Sequence, residues 1–331
     1  MRGICVEQIK AVGAAAGRIQ ANVAEVIVGK GSTIELLLVA LATGGHVLLE
    51  DVPGTGKTML AKSLARSLDA AFGRIQFTPD LLPSDVTGVS FYNQKMGEFE
   101  YRPGPIFAQI ILADEINRAT PRTQSALLEC MEERQVTAEG VTRPLPRPFL
   151  VIATQNPVEQ EGTFPLPEAQ LDRFLLKLPV GYPEAEEEMA ILDRFRSRNP
   201  YNDLQPVAAL AEILALQDAV PLVHVSRPVQ QYMVDLVRAT RSQTGVELGV
   251  SPRGTLALFR ACQALAILRG RDHVLPDDVQ HLAGPVLGHR IVSASQARLR
   301  GQGAQDVLSR VLAAVPVPAE PLSAAAEGGA S

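Results

Sequence analysis

Tryptophan is absent from the 331-residue chain, and aromatic residues make up only 5% of it. Proteins that bind single-stranded nucleic acid commonly stack the bases on aromatic side chains, so this composition disfavours that class of protein. The formal net charge of −5 also argues against a dominant electrostatic footprint for nucleic acid. The composition therefore disfavours nucleic acid as a partner.

Cysteine and long apolar runs are also scarce. The three cysteines, Cys5, Cys130 and Cys262, lie far apart and form no C-x-x-C pair, a pattern typical of reduced thiols in a reducing compartment. The longest apolar run, residues 36–42, is far shorter than the ~20 residues of a membrane-spanning helix. The N-terminus carries Glu7 and lacks the continuous apolar segment of a secretory signal. We therefore expect a cytoplasmic protein without a membrane span.

The most informative stretch is residues 46–58, where an apolar strand leads into a glycine-bearing loop and then a helical pattern. Glycines let backbone N–H groups turn toward a polyphosphate, and the helix adds free N–H groups and a positive dipole end. Lys57 would reach the β- and γ-phosphates, and the Thr58 hydroxyl would bind Mg²⁺. The strict pattern has glycine where Asp51 stands here. The residues predicted to bind ATP in this loop are Pro53, Gly54, Thr55, Gly56, Lys57, Thr58 and Met59.

Polar residues follow two further apolar runs. Asp114 and Glu115 end one run, and Asn156 follows the next. Asp114 would hold Mg²⁺ beside Thr58, Glu115 would polarise the attacking water, and an uncharged amide at Asn156 would position that water. Acidic pairs also end strands for structural reasons, and an asparagine before proline is often a turn residue. The phosphate loop upstream favours the catalytic interpretation.

Two arginines are candidates for stabilising the charge of a departing phosphoryl group. Arg173 stands just before the last apolar run, and Arg253 opens a helical pattern in the C-terminal half. A surface charge is the ordinary role of an arginine. Two arginines directed at one γ-phosphate would instead accelerate hydrolysis by roughly 10³ to 10⁵.

Apolar strands that alternate with helical stretches predict an α/β fold with a five-stranded parallel sheet flanked by helices. After Pro179 the strand-like runs stop and helical periodicity takes over. We therefore predict a nucleotide-binding domain over residues 1–182, a smaller all-α domain over 183–314 and a disordered tail over 315–331. Two hairpins are predicted, over residues 91–101 and 135–148.

Three histidines, His273, His281 and His289, recur every eight residues. Eight helical residues span about 12 Å, which is too far for neighbouring histidines to share one metal ion. The pattern favours core or capping roles, and the sequence implies no metal other than Mg²⁺.

Together these motifs resemble the MoxR group of AAA+ ATPases, within the helix-2-insert clade that also holds magnesium-chelatase subunits. The segments that carry the resemblance are residues 51–58, 110–118, 153–157, 171–174 and 251–253. The resemblance implies a P-loop AAA+ domain followed by an all-α lid. It places Lys57 and Thr58 in the Walker A motif, Asp114 and Glu115 in Walker B, Asn156 at sensor 1, Arg173 as the arginine finger, Arg253 at sensor 2, and Gly29 and Lys30 beside the adenine.

An arginine finger acts from the neighbouring subunit, so the resemblance implies a ring, usually a hexamer, that hydrolyses ATP with Mg²⁺. It also implies chaperone-like assembly or activation of protein complexes, including metal-cofactor enzymes, often with a partner that carries a von Willebrand factor A domain. The insert at 85–105 and the hairpin at 135–148 would face the pore or its substrate. The alternatives are a DNA-dependent AAA+ motor and a nucleotide-gated scaffold with weak hydrolysis.

Overall fold

The structure, a computed structural model, describes residues 6–50, 54–156, 162–295, 297 and 303–318. Pro53, which is predicted to bind ATP, and Asp51, which departs from the strict loop pattern, lie outside the described residues. So do Cys5 and most of the predicted tail. Within the described ranges, no helix is both long enough and apolar enough to cross a lipid bilayer.

The chain forms helices and strands in the order expected of an α/β domain followed by a helical one. The strands are β1 (Val47–Glu50), β2 (Phe72–Gln76), β3 (Gly88–Asn93), β4 (Glu98–Pro103), β5 (Ile110–Asp114), β6 (Gln135–Ala138), β7 (Val141–Pro144), β8 (Leu150–Gln155), β9 (Leu176–Pro179), β10 (Val246–Leu248) and β11 (Val292–Ser293). The helices are α1 (Val6–Ala24), α2 (Gly31–Thr43), α3 (Lys57–Ser67), α4 (Pro83–Thr87), α5 (Pro121–Glu133), α6 (Glu168–Leu171), α7 (Ala185–Phe195), α8 (Leu210–Ala219), α9 (Arg227–Arg241), α10 (Pro252–Leu268), α11 (Pro276–Leu287) and α12 (Ala304–Ala314).

Five parallel strands form the central sheet in the order β2-β5-β8-β1-β9. Successive side chains of a strand point to opposite faces, and the central strands are apolar at both because helices cover both faces. Val47 and Leu49 pack in the core under α1, α2 and α3, whereas Leu48 packs in the core against α4 and α5. The predicted five-stranded parallel sheet is confirmed.

The C-terminal helices α8 to α12 form a lid that packs against the first core. Helix α1 contacts α3 of the sheet domain and also α8 and α10 of the lid. The hydrophobic core is therefore continuous between the two parts of the chain. One difference from the sequence expectation is a small antiparallel ladder between β10 and β11. With two or three residues each, these strands are too short to show a sequence period.

Both predicted hairpins are present. Strands β3 and β4 pair in antiparallel register from Gly88 opposite Pro103 to Asn93 opposite Glu98. Strands β6 and β7 pair in the same manner. The first hairpin exposes five large apolar side chains, namely Val89, Phe91, Tyr92, Met96 and Phe99.

Candidate active site

The loop before α3 has the shape of a phosphate cradle. Gly54 and Gly56 have φ angles of 89° and 86°, in the left-handed region that favours glycine. A Cβ added at either position would meet no atom within 4 Å, so the space in front of the loop is open. A cavity of about 410 Å³ lies there, a size typical of small-molecule sites. It is lined by Gly54, Thr55, Gly56, Lys57, Thr58, Met59, Lys62, Arg74, Asp114, Glu115, Thr154, Gln155 and Asn156.

Asp114 ends β5 on the floor of this cavity, and two neighbouring strands hold its carboxylate. The Thr154 hydroxyl of β8 donates to Oδ1 at 2.8 Å, and Arg74 of β2 donates to Oδ2 at 2.8 Å. Each oxygen keeps a further lone pair. Together with the Thr58 hydroxyl in the same cavity, Asp114 fits the Mg²⁺ chemistry of nucleotide sites, in which phosphates and water supply most ligands.

Glu115 is held in an uncommon backbone conformation. Its φ of 58° and ψ of 50° lie in the left-handed region, which residues with a side chain rarely adopt. Its N–H donates to the Thr154 hydroxyl at 2.8 Å, which stabilises the turn. Its carboxylate accepts from Gln76 at 3.0 Å and pairs with Arg118 at 3.1 Å. These contacts hold the carboxylate of a residue that also lines the cavity.

Asn156 is almost buried, with 8% of its surface exposed, directly after β8. Its backbone carbonyl accepts from the Asn117 amide at 3.4 Å. The carboxyl ends of parallel strands meet at one edge of the sheet, so Asn156 and Asp114 line the same cavity. Carboxylate, hydroxyl and amide side chains thus line one cavity with Lys57 at this carboxyl edge.

The segment predicted to contact adenine lies beside the connection to the lid. The Lys30 ammonium donates to three backbone carbonyls there, those of Val180, Gly181 and Tyr182, at 2.8, 3.2 and 3.4 Å. Gly29 has a φ of 73°, and a Cβ at this position would fall 2.0 Å from the Glu187 carboxylate. Lys30 thus ties the start of α2 to the strand-to-lid connection, and its contact with adenine stays a prediction.

Arg173 and Arg253 lie on a different part of the molecule, around a cavity of about 350 Å³. We call it the arginine face, defined by Arg134, Arg173, Arg253, Arg260 and Arg290. Gly45 and His46, which directly precede β1, also line this cavity. The arginine face is therefore at the amino edge of the sheet. Within the described part of the chain, its lining shares no residue with the phosphate cavity.

The two predicted phosphate-binding arginines differ in their partners. Arg253 donates to the Glu132 carboxylate at 2.6 Å and lies 3.6 Å from that of Asp172. The Arg173 guanidinium makes no hydrogen bond or ion pair with any residue that the structure describes. The structure thus brings the two arginines together, but not to the phosphate loop of the same chain.

The comparisons with known proteins agree with this geometry. Residues 46–176 match the family model for the ATPase family associated with various cellular activities, and residues 238–311 match that of the AAA lid domain. The protein YeaC of Bacillus subtilis is 53% identical over 92% of this chain and 95% of its own length. The chaperone MoxR1 of Mycobacterium tuberculosis is 44% identical over 90% of this chain and 81% of its own. This chain belongs to the MoxR family of AAA+ ATPases.

A solved structure from Cytophaga hutchinsonii extends the comparison to the fold of this MoxR-family chain. It superimposes with a TM-score of 0.88 at 40% identity and covers 95% of this chain and 98% of its own. Nucleotide binding and ATP hydrolysis are properties of this family of ATPases. The predicted family and fold class are both confirmed.

Two histidines at the amino edge of the MoxR-family sheet are buried in the neutral form. Burial, reinforced by the nearby Arg134 charge, lowers the pKa of His46 to about 3. Burial and the adjacent Arg290 lower the pKa of His289 to about 3. His46 Nδ1 accepts the Val151 N–H at 3.0 Å, so its proton is on Nε2, which faces the Met131 carbonyl at 3.1 Å.

Sequence reasoning missed Thr154, whose hydroxyl contacts both Asp114 and Glu115 in this MoxR-family protein. It also missed Arg74 and Gln76, which reach Asp114 and Glu115 from β2. The only available signal was the position of Thr154 near the end of a buried strand. The three histidines that recur in the sequence have separate contacts. His273 contacts Asp272, His281 lies 3.5 Å from the Glu35 carboxylate, and His289 lies 3.0 Å from the Phe174 carbonyl.

Proposed function

We propose that this chain hydrolyses ATP at sites completed by a neighbouring copy of itself and uses the energy to remodel a protein client. The observation that carries the proposal is the position of Arg173 and Arg253 at the opposite edge of the sheet from the phosphate loop. Sheet strands of 4–6 residues are roughly 13–20 Å long. We therefore expect that neither arginine reaches a γ-phosphate bound by its own chain.

A head-to-tail assembly of several copies would bring the arginines of one copy to the phosphate cavity of the next. If the arginine face of one copy meets the phosphate cavity of the next, every interface contains one complete site, and repetition closes a ring. Arg173 suits this role because its guanidinium lacks a partner among the described residues. We propose a ring, a hexamer as is usual for the family, in which Arg173 and Arg253 act on the neighbour's nucleotide.

In each site, the residues of one chain would divide the work. The loop N–H groups and Lys57 would bind the β- and γ-phosphates, and Thr58 and Asp114 would hold Mg²⁺, which would supply positive charge to the site. Glu115 accepts a proton from the attacking water, and Asn156 orients that water. We further propose that the nucleotide-binding domain spans residues 1–182 and that the lid spans residues 183–314.

The client-binding surface that we propose is the β3–β4 hairpin. Met96 and Phe99 are 70% and 74% exposed, and exposed apolar side chains in one place are typical of protein-binding surfaces. The similarity to the chaperone MoxR1 supports a protein client. We further propose a partner with a von Willebrand factor A domain, on the family resemblance alone.

Mixing inactive variants tests the shared site. Arg173→Ala subunits keep intact phosphate cavities, and Glu115→Gln subunits keep intact arginine faces. In a random equal mixture about one interface in four pairs an intact cavity with an intact arginine. We expect each variant alone to be nearly inactive and the mixture to recover about a quarter of the wild-type rate of phosphate release.

The control is a mixture of wild-type and Arg198→Ala subunits. Arg198 is a surface arginine paired with Asp203, so dilution with this variant should leave the rate unchanged. Absence of recovery at every ratio of Arg173→Ala to Glu115→Gln would contradict hydrolysis at a shared site.

A further inference from the structure

Arg290 is the most buried cation of the arginine face, and the proposed function gives it no role. Its side chain is 4% exposed, in the single 3-10 turn Gly288–Arg290 that follows α11 of the lid. A charge so deeply buried is costly unless hydrogen bonds and an opposite charge compensate it. The Val286 carbonyl of α11 accepts one hydrogen bond from Arg290, and its other backbone partners and its carboxylate partner lie in the sheet domain.

The sheet-domain partners of Arg290 belong to one short segment, residues 172–175, which we call the finger loop because it contains Arg173. Arg290 Nε donates to the Asp172 carboxylate at 2.7 Å. Its two Nη atoms donate to the carbonyls of Phe174 and Leu175 at 2.8 and 3.3 Å. One guanidinium thus fixes the side chain before Arg173 and the backbone after it.

Neighbouring lid residues reinforce this contact. His289 Nε2 lies 3.0 Å from the Phe174 carbonyl. Gly254, which follows Arg253 at the start of α10, makes room for the guanidinium stem: a Cβ there would fall 3.0 Å from Arg290 Cδ and 2.3 Å from Val250 Cγ1. Arg253 adds a second lid cation near the Asp172 carboxylate.

We propose that Arg290 is a positioning residue that holds the finger loop to the lid and so aims Arg173 at the nucleotide of the neighbouring subunit. The inference rests on the proposed function, because it requires Arg173 to act between subunits. Its consequence is a route of communication: movement of the lid in one subunit displaces the arginine that this subunit presents to the next.

The segment predicted to contact adenine is tied to the connection that leads into this lid. Lys30, at the start of α2, bonds the carbonyls of residues 180–182, and those residues lead directly into α7 and the lid. In the proposed route, nucleotide binding at this segment shifts the connection and so moves the lid. Arg290 transmits the displacement to the finger loop.

Arg290→Lys in the full-length chain tests the proposal. Lysine keeps the positive charge but lacks the planar fork that reaches a carboxylate and two carbonyls at once. Misplacement of a catalytic group by about 1 Å costs up to roughly 100-fold in rate. We expect ATP hydrolysis to fall between about 10- and 100-fold, while the affinity for a fluorescent ATP analogue stays within about twofold of wild type.

The decisive measurement is the rate of phosphate release in mixtures with Glu115→Gln, because Glu115→Gln subunits supply a correctly placed Arg173. The mixture that contains Arg290→Lys should regain activity as the mixture with Arg173→Ala does, because the phosphate cavity of the Arg290→Lys subunit is intact. If Arg173→Ala recovers and Arg290→Lys does not, Arg290 is only structural and the inference falls. If Arg173→Ala itself fails to recover, the shared site of the proposed function falls, and the positioning role falls with it.

Two further variants guard against a simple loss of stability. Arg271 forms a comparable fork on Asp278 inside the lid, at 2.6 and 2.8 Å, away from the finger loop. Arg271→Lys should lower thermal stability without a defect that mixing repairs. Asp172→Asn removes the partner charge at nearly constant shape. It should reproduce the Arg290→Lys pattern, including recovery, and failure to do so in a folded protein would overturn the proposal.

Discussion

The two edges of the sheet are built on different principles. At the carboxyl edge, Asp114 and Glu115 are held by hydrogen bonds from β2 and β8, all within one domain. At the amino edge, Asp172 is shared by arginines from the lid, and Arg173 has no partner among the described residues. The acidic residues at the carboxyl edge are held by contacts within the sheet domain, whereas Asp172 at the amino edge is held by contacts with the lid.

This difference separates binding from activation. Residues that retain a nucleotide need only a rigid scaffold, which the ends of parallel strands provide. Residues that activate hydrolysis need a connection to a part of the molecule that moves, and in our proposal the lid supplies that connection. Substitutions at the two edges should therefore produce different defects.

Glu115→Gln should give the largest effect at the carboxyl edge. The amide cannot accept a proton from water, and loss of such a group typically costs 10²- to 10⁴-fold in rate. ATP binding should persist because the phosphate cradle is untouched. Phosphate release and equilibrium binding of labelled ATP, measured on one preparation, check this. Equal turnover in the variant and the wild type would remove Glu115 as the residue that activates water.

Lys57→Ala should show the reverse defect. Removing a charged hydrogen bond to phosphate costs about 1.5–3 kcal/mol, so ATP affinity should fall about 10- to 100-fold. Lys62 lines the same cavity and provides a matched control. Lys62→Ala should weaken binding less, because Lys62 lies more than one turn further along α3. Titration with labelled ATP distinguishes the two variants, and unchanged affinity in Lys57→Ala would contradict the cradle.

Thr154→Val should have a moderate effect. Valine keeps the shape of threonine but leaves the Glu115 N–H without its acceptor and Asp114 Oδ1 without its donor. Such a loss costs about 1–3 kcal/mol, so hydrolysis should fall about tenfold. Thr137→Val, which removes an exposed hydroxyl paired with Thr142 on the second hairpin, should leave the steady-state rate unchanged. A tenfold loss in both would assign the effect to general destabilisation.

Acidification should lower the free energy of unfolding through His46, a buried residue at the amino edge, without a direct effect on the phosphate cavity. The folded pKa of His46, about 3, lies below the ordinary 6.5, so below pH 6.5 the unfolded chain takes up a proton that the folded chain excludes. This contribution to stability is complete above pH 6.5 and is lost as the pH falls toward 3. At pH 5 the loss is about 2 kcal/mol. Urea unfolding of the wild type and His46→Gln at pH 7.5 and 5 should show a shallower pH dependence in the variant, and equal dependence would contradict it.

The sequence predicts the carboxyl edge well because local patterns determine it. A buried run that ends in polar residues places Asp114 and Asn156 at the same edge once the strands are parallel. Thr154 and Arg74 escape such reasoning because their roles depend on which strands are neighbours and in what register. The partners of Arg253 depend on how the lid docks, through Glu132 and Asp172. Such long-range contacts leave no periodic trace in the chain.

Helix α1 carries a consequence for engineering. It packs on α3 and also on α8 and α10, and Arg18 donates to the Val207 carbonyl at 3.0 Å. A chimera that grafts a relative's C-terminal half after residue 182 would therefore combine two sequences never selected to fit together. Exchanging the first helix along with the graft would restore the match, so the smallest unit that can be transplanted is discontinuous in sequence.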